Sequence, residues 1–233
     1  MPKPAPTWLK DLPRSRLQAE FSMWSADLVN LADELARIEP HADLLHVDVA
    51  DGHFAPALLF FPDLVARMRP MTARPIHVHL MVEDAILLAQ IEQFAEAGAD
   101  LISVHVENAA AGDEALRLLD HLGVAKGMVL RVETPVARIA PYLDRLDFVT
   151  LLGTAIGVKG QGLDVRAGER LQQAAGLIAA ADPDIVLAAD GGIRETTVPL
   201  LRKSGAETVV MGSLAFGAGD LAERLRWLHG LER

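Results

Sequence analysis

Short apolar runs alternate with longer amphipathic stretches along most of the chain. The runs are rich in valine, isoleucine and leucine and are bounded by glycine, proline or polar residues, which is typical of buried strands. We predict eight strands, at about 19–25, 44–50, 75–82, 101–107, 126–132, 147–153, 184–189 and 207–212.

The stretches between these strands carry apolar residues at helical spacing, as in ADLVNLADELARI, AILLAQIEQFAEAGA and DEALRLLDHLG. Gly98, Gly123 and Gly205 precede the next strand, where a helix commonly ends. Strict alternation of eight strands and eight helices predicts one parallel sheet closed into a single (β/α)8 TIM barrel. An open doubly wound sheet is the competing fold, but it usually has fewer units, and no G-x-G-x-x-G turn follows the first strand.

We place the barrel domain at residues 19–233 and an irregular N-terminal extension at residues 1–18. Trp8 and Leu9 could dock on a neighbouring subunit, or the extension could be a loose tail; the second interpretation is slightly favoured.

The amino-acid composition excludes several classes of protein and site. Hydrophobic residues make up 51% of 233 residues, which is enough for a large core, and no cysteine is present, which excludes thiolate catalysis and cysteine-bound zinc. The net charge is −10 with no block of basic residues, so we expect no nucleic-acid partner. Without an apolar run of about 20 residues or a signal-peptide core, we expect no membrane partner and a cytoplasmic location.

Ionisable residues cluster at the predicted strand ends, where α/β barrels carry their chemistry. His46 and Asp48 are two apart on one strand and so share a face, as do His77 and His79 on the next strand, and Asp190 ends the seventh strand. His46, Asp48, His79 and Asp190 could therefore converge as ligands of a divalent metal such as Zn, Fe(II), Mn or Co.

Glycines follow the last two strands, the usual phosphate-binding place in this fold. Gly191 and Gly192 precede a helix predicted to begin near Arg194, and Gly212 and Ser213 precede the predicted final helix. The segment GVKGQ, residues 157–161, is either a mobile loop over the site or an ordinary connection.

Several of these segments resemble motifs of the ribulose-phosphate 3-epimerases, including the related allulose-phosphate epimerases. FSMWSADLVNL is similar to PSILSADFANL, LLHVDVADGHFAP to HLDVMDGHFVP, HVHLMV to D-x-H-L-M-V, LISVHVE to I-T-x-H-x-E, ADGGI to DGGI, and VVMGSLAF to V-x-G-S-A-x-F. The resemblance runs from about residue 20 to 225.

This resemblance implies roles for individual residues. His46, Asp48, His79 and Asp190 match metal ligands, and Asp48 and Asp190 also match a catalytic acid/base pair. The residues expected to contact substrate are Ser22, His79, Met81, Gly157, Gly160, Gly191, Gly192, Gly212 and Ser213.

The chain departs from the motifs around the pocket, at Ala50, Ala57, Arg131, Leu152 and Lys159. The residues that match metal ligands are retained, whereas residues that line the pocket differ. The resemblance therefore indicates the type of reaction more firmly than the identity of the substrate. We hypothesise that Lys159 and Arg131 adapt the pocket to a different sugar phosphate.

The expected activity is metal-dependent 3-epimerisation of a ketose phosphate, such as D-ribulose 5-phosphate to D-xylulose 5-phosphate, through two aspartates and an enediolate. No organic cofactor is expected, and the resemblance implies a homo-oligomer. The alternatives are an epimerase of another ketose phosphate such as D-allulose 6-phosphate, a Schiff-base aldolase using one of five lysines, a related barrel decarboxylase, and a non-catalytic sugar-phosphate-binding barrel.

Overall fold

Eight parallel strands close into a barrel in the order of the chain. A computed structural model describes residues 2–181 and 184–233. The strands are β1 (Gln18–Ser22), β2 (Leu44–Ala50), β3 (Ile76–Met81), β4 (Leu101–His105), β5 (Ala125–Leu130), β6 (Phe148–Leu152), β7 (Val186–Asp190) and β8 (Thr208–Met211). β1 pairs with both β2 and β8, which completes the ring and confirms the predicted TIM barrel.

Helices surround the barrel. They are α1 (Leu31–Ile38), α2 (Pro62–Met68), α3 (Asp84–Ala97), α4 (Gly112–Leu122), α5 (Ala167–Ala181), α6 (Val198–Lys203), α7 (Ser213–Phe216) and α8 (Leu221–His229). Gly98 and Gly123 end α3 and α4 in the left-handed conformation, as the sequence predicts.

The connection from β5 to β6 differs from the expected α-helix. Residues Val136–Arg145 form a 3₁₀ stretch with Pro141 inside it. Proline lacks the backbone N–H of an α-helical ladder and its ring crowds the preceding turn, so this segment cannot continue as an α-helix. Val136, Ile139 and Leu143 are still buried, so the stretch covers the barrel as a helix would.

Alternation along each strand separates two environments. Leu45, Val47 and Val49 on β2 pack with the helices in the main core. The intervening residues point into the barrel, where His46 and Asp48 are also buried. The barrel interior therefore holds polar side chains that the helix-facing layer does not.

The N-terminal segment covers the end of the barrel from which the strands start. Leu12 is buried in a cluster formed by Leu44, Leu101, Phe148, Val186 and Ala188, and Trp8 and Leu9 pack against this cluster. Arg14 pairs with Glu207 at 2.8 Å. The favoured loose tail is therefore wrong in this structure, because its apolar residues contact the chain's own barrel.

Among the described residues, no helix has the length and apolar character that crossing a membrane requires.

Candidate active site

Two histidines and two aspartates meet where β2, β3 and β7 approach their carboxyl ends. Ligand-type atoms of His46, Asp48, His79 and Asp190 all lie within 4.8 Å of one another. β2 and β3 are paired so that Asp48 is opposite His79, whereas Asp190 arrives from β7 on another part of the ring. The structure thus brings together all four residues that the sequence nominates as metal ligands.

Asp48 is held by hydrogen bonds on both oxygens. Ser22 Oγ donates to Asp48 Oδ2 at 2.8 Å, and His46 Nε2 lies 3.2 Å from Asp48 Oδ1. Ser22 ends β1 and is buried, so its hydroxyl fixes the orientation of the carboxylate from the neighbouring strand. One predicted substrate-contacting residue is therefore also a partner of the predicted base.

His79 has a free nitrogen that faces both carboxylates. Its Nδ1 has no hydrogen-bond partner among the described residues and lies 3.5 Å from Asp48 Oδ1 and 3.8 Å from Asp190 Oδ2. A buried polar atom without a partner is costly. Its position between two carboxylates fits a divalent metal ion, for which imidazole and carboxylate are suitable ligands.

The other nitrogen of His79 leads to a carboxylate outside the cluster. His79 Nε2 lies 2.8 Å from His105 Nε2, and His105 Nδ1 lies 2.9 Å from Glu107 Oε2. If His79 donates from Nε2 and His105 donates from Nδ1, every contact has one donor and one acceptor. This arrangement leaves the His79 Nδ1 lone pair directed at the cluster, as metal-binding histidines usually require.

The two aspartates differ in acidity. Burial alone would raise the pKa of Asp48, but the charge of His46 and its hydrogen bond hold that pKa far below its usual range. Burial raises the pKa of Asp190 to about 6; His46 opposes this rise, and the negative charge of Asp48 adds to it. In the metal-free protein the site therefore contains one firmly ionised carboxylate and one that keeps a proton to higher pH.

A cavity of about 250 Å³ opens beside the cluster. It is lined by every predicted site residue except His46, which is fully buried: Ser22, Asp48, His79, Met81, Gly157, Gly160, Asp190, Gly191, Gly192, Gly212 and Ser213.

The glycines at one side of the cavity are required by close backbone approach. Gly191 and Gly192 have φ values of 87° and 70°. A Cβ at Gly192 would lie 2.8 Å from Leu163 Cα, and one at Gly212 would lie 2.5 Å from Ser25 Oγ. A side chain at Gly192 or Gly212 would therefore collide with a neighbouring residue, and the positive φ values of Gly191 and Gly192 also favour glycine.

Two helix starts differ from the sequence predictions. α6 begins at Val198 and not near Arg194, because Thr197 Oγ1 donates to Gly192 O at 2.7 Å and closes an intervening turn. The helix after Gly212 is the four-residue α7, and the final helix α8 starts at Leu221. Arg194 nevertheless lines the cavity, with its guanidinium bonded to the carbonyl of Ile193.

Two departures from the motifs lie on loops around the mouth. Lys159 Nζ donates to Trp24 O at 2.5 Å and lies 4.5 Å from the centre of the Trp24 ring. The Arg131 guanidinium lies 4.1 Å from the centre of the Phe54 ring and donates to Phe54 O. Each cation thus ties a loop from one side of the barrel to a loop from another side.

Glu20 and His77 lie beside the site, but their contact with each other was not predicted from the sequence. Glu20 Oε1 contacts Nδ1 of both His46 and His77. The available signals were an acidic residue inside the first strand and a histidine at the aspartate position of D-x-H-L-M-V. Neither signal identifies the other residue, because the contact joins two strands that are separated by β2 and far apart in sequence.

Comparison with known proteins agrees with the geometry. Residues 18–216 match the Ribulose-phosphate 3 epimerase family. The chain is 34% identical over 216 residues to the ribulose-phosphate 3-epimerase of Bacillus subtilis, covering 90% of this chain and 96% of that protein. It is 36% identical over 196 residues to the ribulose-phosphate 3-epimerase of Aquifex aeolicus, covering 84% of this chain and 87% of that protein.

Solved structures share the fold at lower identity. A 3-hexulose-6-phosphate synthase aligns with a TM-score of 0.66 and 16% identity, covering 93% of this chain and 100% of that one. Orotidine 5'-phosphate decarboxylase from Pyrococcus horikoshii aligns with a TM-score of 0.61 and 16% identity, covering 91% and 97%. At this identity the likeness concerns the barrel fold alone.

Proposed function

The chain belongs to the ribulose-phosphate 3-epimerase family, and from this premise we propose that it inverts C3 of a phosphorylated ketose by proton transfer between Asp48 and Asp190. The protein is an isomerase of the ribulose-phosphate 3-epimerase type. The favoured substrate pair is D-ribulose 5-phosphate and D-xylulose 5-phosphate, the reaction that the relatives' names describe.

The observation that carries the proposal is the pair of carboxylates at one cavity. Asp48 on β2 and Asp190 on β7 both line it, and their pKa values are displaced in opposite directions. Epimerisation removes a proton from one face of a carbon and returns a proton to the other face, so it needs one base and one acid at the same time. Two carboxylates with separated pKa values supply that combination.

The side chains around Asp48 support its role as the group that starts ionised. Ser22 donates to Asp48 Oδ2 and holds the carboxylate in one orientation. In the metal-free protein, His46 Nε2 at 3.2 Å from Asp48 Oδ1 also stabilises its negative charge. Asp190 accepts no comparable hydrogen bond from the described residues, and its raised pKa makes it the more readily protonated of the two carboxylates. In one direction Asp48 takes the C3 proton while Asp190 donates to the opposite face, and the roles reverse for the other epimer.

A divalent metal ion fits the residues present, because His79 Nδ1 is unpartnered and faces both carboxylates. His46, Asp48, His79 and Asp190 would hold it, and Zn, Fe(II), Mn or Co would suit this ligand set. When bound, such an ion supplies Lewis-acid stabilisation of negative charge on the substrate oxygens.

The far side of the cavity is suited to the phosphate. Gly191, Gly192 and Gly212 present backbone without side chains there, and loops after strands 7 and 8 commonly bind phosphate in this fold. Anchoring the phosphate away from C3 would orient the reacting carbon between the two aspartates.

Replacing each aspartate by asparagine tests this proposal. Asp48→Asn and Asp190→Asn should each lower kcat for epimerisation of D-ribulose 5-phosphate by about 10²- to 10⁴-fold, because asparagine cannot take up or donate the proton. The matched control is Asp120→Asn, a surface residue on α4 whose carboxylate pairs with Lys126. Near-normal turnover by either active-site variant, in folded protein, would refute that aspartate's role.

A further inference from the structure

A fully buried carboxylate lies behind the metal-ligand cluster. Glu20 stands on β1 with its side chain inside the barrel and no solvent exposure. Its Oε1 lies 2.7 Å from His46 Nδ1 and makes a still shorter contact with His77 Nδ1. Both rings are likewise completely buried, so no water competes for these contacts.

The hydrogen-bond partners determine where the protons lie. An ionised carboxylate only accepts, so both histidines must donate from Nδ1. His77 Nε2 then accepts from Ser103 Oγ, which lies 2.7 Å away. His46 Nε2 is the nitrogen that faces Asp48, at 3.2 Å from Oδ1. Glu20 thereby presents His46 Nε2, and not Nδ1, to the ligand cluster.

The neighbouring strand is built to accommodate this arrangement. Gly127 on β5 faces Ser103, and a Cβ at Gly127 would lie 1.8 Å from Ser103 Oγ. Any larger residue at 127 would therefore displace the hydroxyl that holds His77. The series Ser103, His77, Glu20 and His46 thus depends on residues from five strands, including Gly127.

The carboxylate that contacts His46 and His77 comes from the first strand. In the motif D-x-H-L-M-V an aspartate occupies the place of His77, on β3. Here β3 carries a histidine, and the acidic side chain comes from β1, two strands away on the same side of the barrel. Glu20 Oε2 has no hydrogen-bond partner among the described residues. A buried carboxylate with an unpartnered oxygen is costly, so this residue is better explained by the ligand it orients than by stability.

We propose that Glu20 is a positioning residue that orients the metal ligand His46 through its Nδ1–H, with His77 and Ser103 holding the carboxylate in place. This inference rests on the proposed metal site. Carboxylates that accept from ligating histidines commonly change metal affinity about 10- to 100-fold when replaced.

The first test measures metal affinity, independently of turnover. Chelator-stripped wild type and Glu20→Gln are titrated with Zn²⁺ in competition with a chromophoric chelator, and circular dichroism checks the fold. Glutamine keeps the shape but not the charge, so the variant should bind Zn²⁺ about 10- to 100-fold more weakly. The matched control is Glu207→Gln, which alters another buried, ion-paired glutamate at the opposite end of the barrel and should bind within about twofold of wild type.

The outcomes separate the two proposals. If the wild type fails to bind one Zn²⁺ per chain, the metal site of the proposed function is wrong. If the wild type binds and Glu20→Gln binds within twofold of it, the metal site stands and the positioning role of Glu20 is wrong.

A second measurement uses only the wild-type protein, so it does not depend on whether a variant folds. Long-range ¹H–¹⁵N spectra of the Zn²⁺-loaded wild type report which ring nitrogen of each histidine carries the proton. The inference requires protons on Nδ1 of both His46 and His77. A ring whose Nδ1 carries no proton would overturn it, because that ring could not donate to Glu20.

Discussion

At the scale of single residues, the site contains two aspartates whose pKa values are shifted in opposite directions. Asp48 is buried and Asp190 is half-buried, and both lie near His46 and His79. Asp48 has hydrogen bonds that stabilise its charge, whereas burial and the charge of Asp48 raise the pKa of Asp190 to about 6. The difference arises from the surroundings of each carboxylate, and under the proposed function it would distinguish the acid from the base before substrate binds.

The raised pKa of Asp190 has a consequence for stability. The unfolded chain releases this proton near the ordinary pKa of 3.8, whereas the folded protein holds it until about pH 6. As pH rises through this range, ionisation therefore favours the unfolded state. In metal-free protein, Asp190→Asn should be more stable than wild type at pH 7 by on the order of 1–3 kcal/mol, at about 1.4 kcal/mol per pKa unit.

Urea unfolding at two pH values measures this effect. The advantage of Asp190→Asn should be largely gone at pH 4, where the wild-type carboxyl is protonated in the folded state. Asp120→Asn serves as the exposed control on α4. An Asp190→Asn protein that is no more stable than wild type at pH 7 would contradict the account of a strained, buried carboxylate.

The cluster of His46, Asp48, His79 and Asp190 could be predicted from the sequence largely because spacing of two places residues on one face of a strand. That rule and the strand assignments were enough to predict that His46 and Asp48 share a face, and that His77 and His79 do. The Glu20 contacts could not be predicted this way. They join β1 to β2 and β3 inside the barrel, and they depend on the register in which these three strands pair.

At the scale of elements, loops after the strands decide the shape of the cavity. Lys159 lies in the loop after β6 and reaches the loop after β1, where it binds the carbonyl and ring of Trp24. Burial lowers the pKa of Lys159, while the negative charge of Asp48 opposes this. Both Lys159 and Trp24 line the cavity, so this cation is available to an anionic substrate at the mouth.

Removing this charge tests whether Lys159 contributes to substrate binding. Lys159→Met keeps an apolar side chain over Trp24 but loses the ammonium. KM for D-ribulose 5-phosphate should rise about two- to fivefold with kcat changed less than about twofold, as expected for a partly exposed ion pair. The control is Lys126→Met, whose ammonium pairs with Asp120 outside the cavity. An unchanged KM, together with an unchanged order of preference among ketose phosphates, would show that Lys159 does not determine substrate specificity.

Strands were easier to predict than the segments between them. All eight apolar runs form strands, because burial on both faces leaves a strong sequence signal. The 3₁₀ stretch after β5 shows buried residues at near-helical spacing, and only Pro141 distinguishes it from an α-helix. The late start of α6 depends on the bond from Thr197 to Gly192, which spacing alone does not reveal.

At the scale of the whole molecule, the two ends of the barrel have different tasks. One end is closed by Leu12, Trp8 and Leu9 packed on an apolar layer. The other end carries the ionisable cluster and the open cavity. Apolar closure at one end leaves the other free to be polar, which is the usual division between stability and chemistry in this fold.

The net charge of −10 means that an anionic substrate must be bound by groups close to it at the open end of the barrel. The overall field would repel a phosphorylated sugar, so binding has to come from nearby groups. Backbone at Gly191, Gly192 and Gly212, the Lys159 ammonium, and the proposed metal are the groups that line or adjoin the cavity.

Solvent exchange in D₂O tests the central claim most directly. Folded, Zn²⁺-loaded protein is incubated with D-ribulose 5-phosphate, and separately with D-allulose 6-phosphate, while NMR follows the C3 proton and the epimer. We predict deuterium at C3 of the epimer formed, because one carboxylate takes the C3 proton from one face and the other carboxyl group delivers a solvent-derived deuteron to the opposite face. Neither exchange nor epimer with either sugar would contradict proton transfer by Asp48 and Asp190 on these substrates.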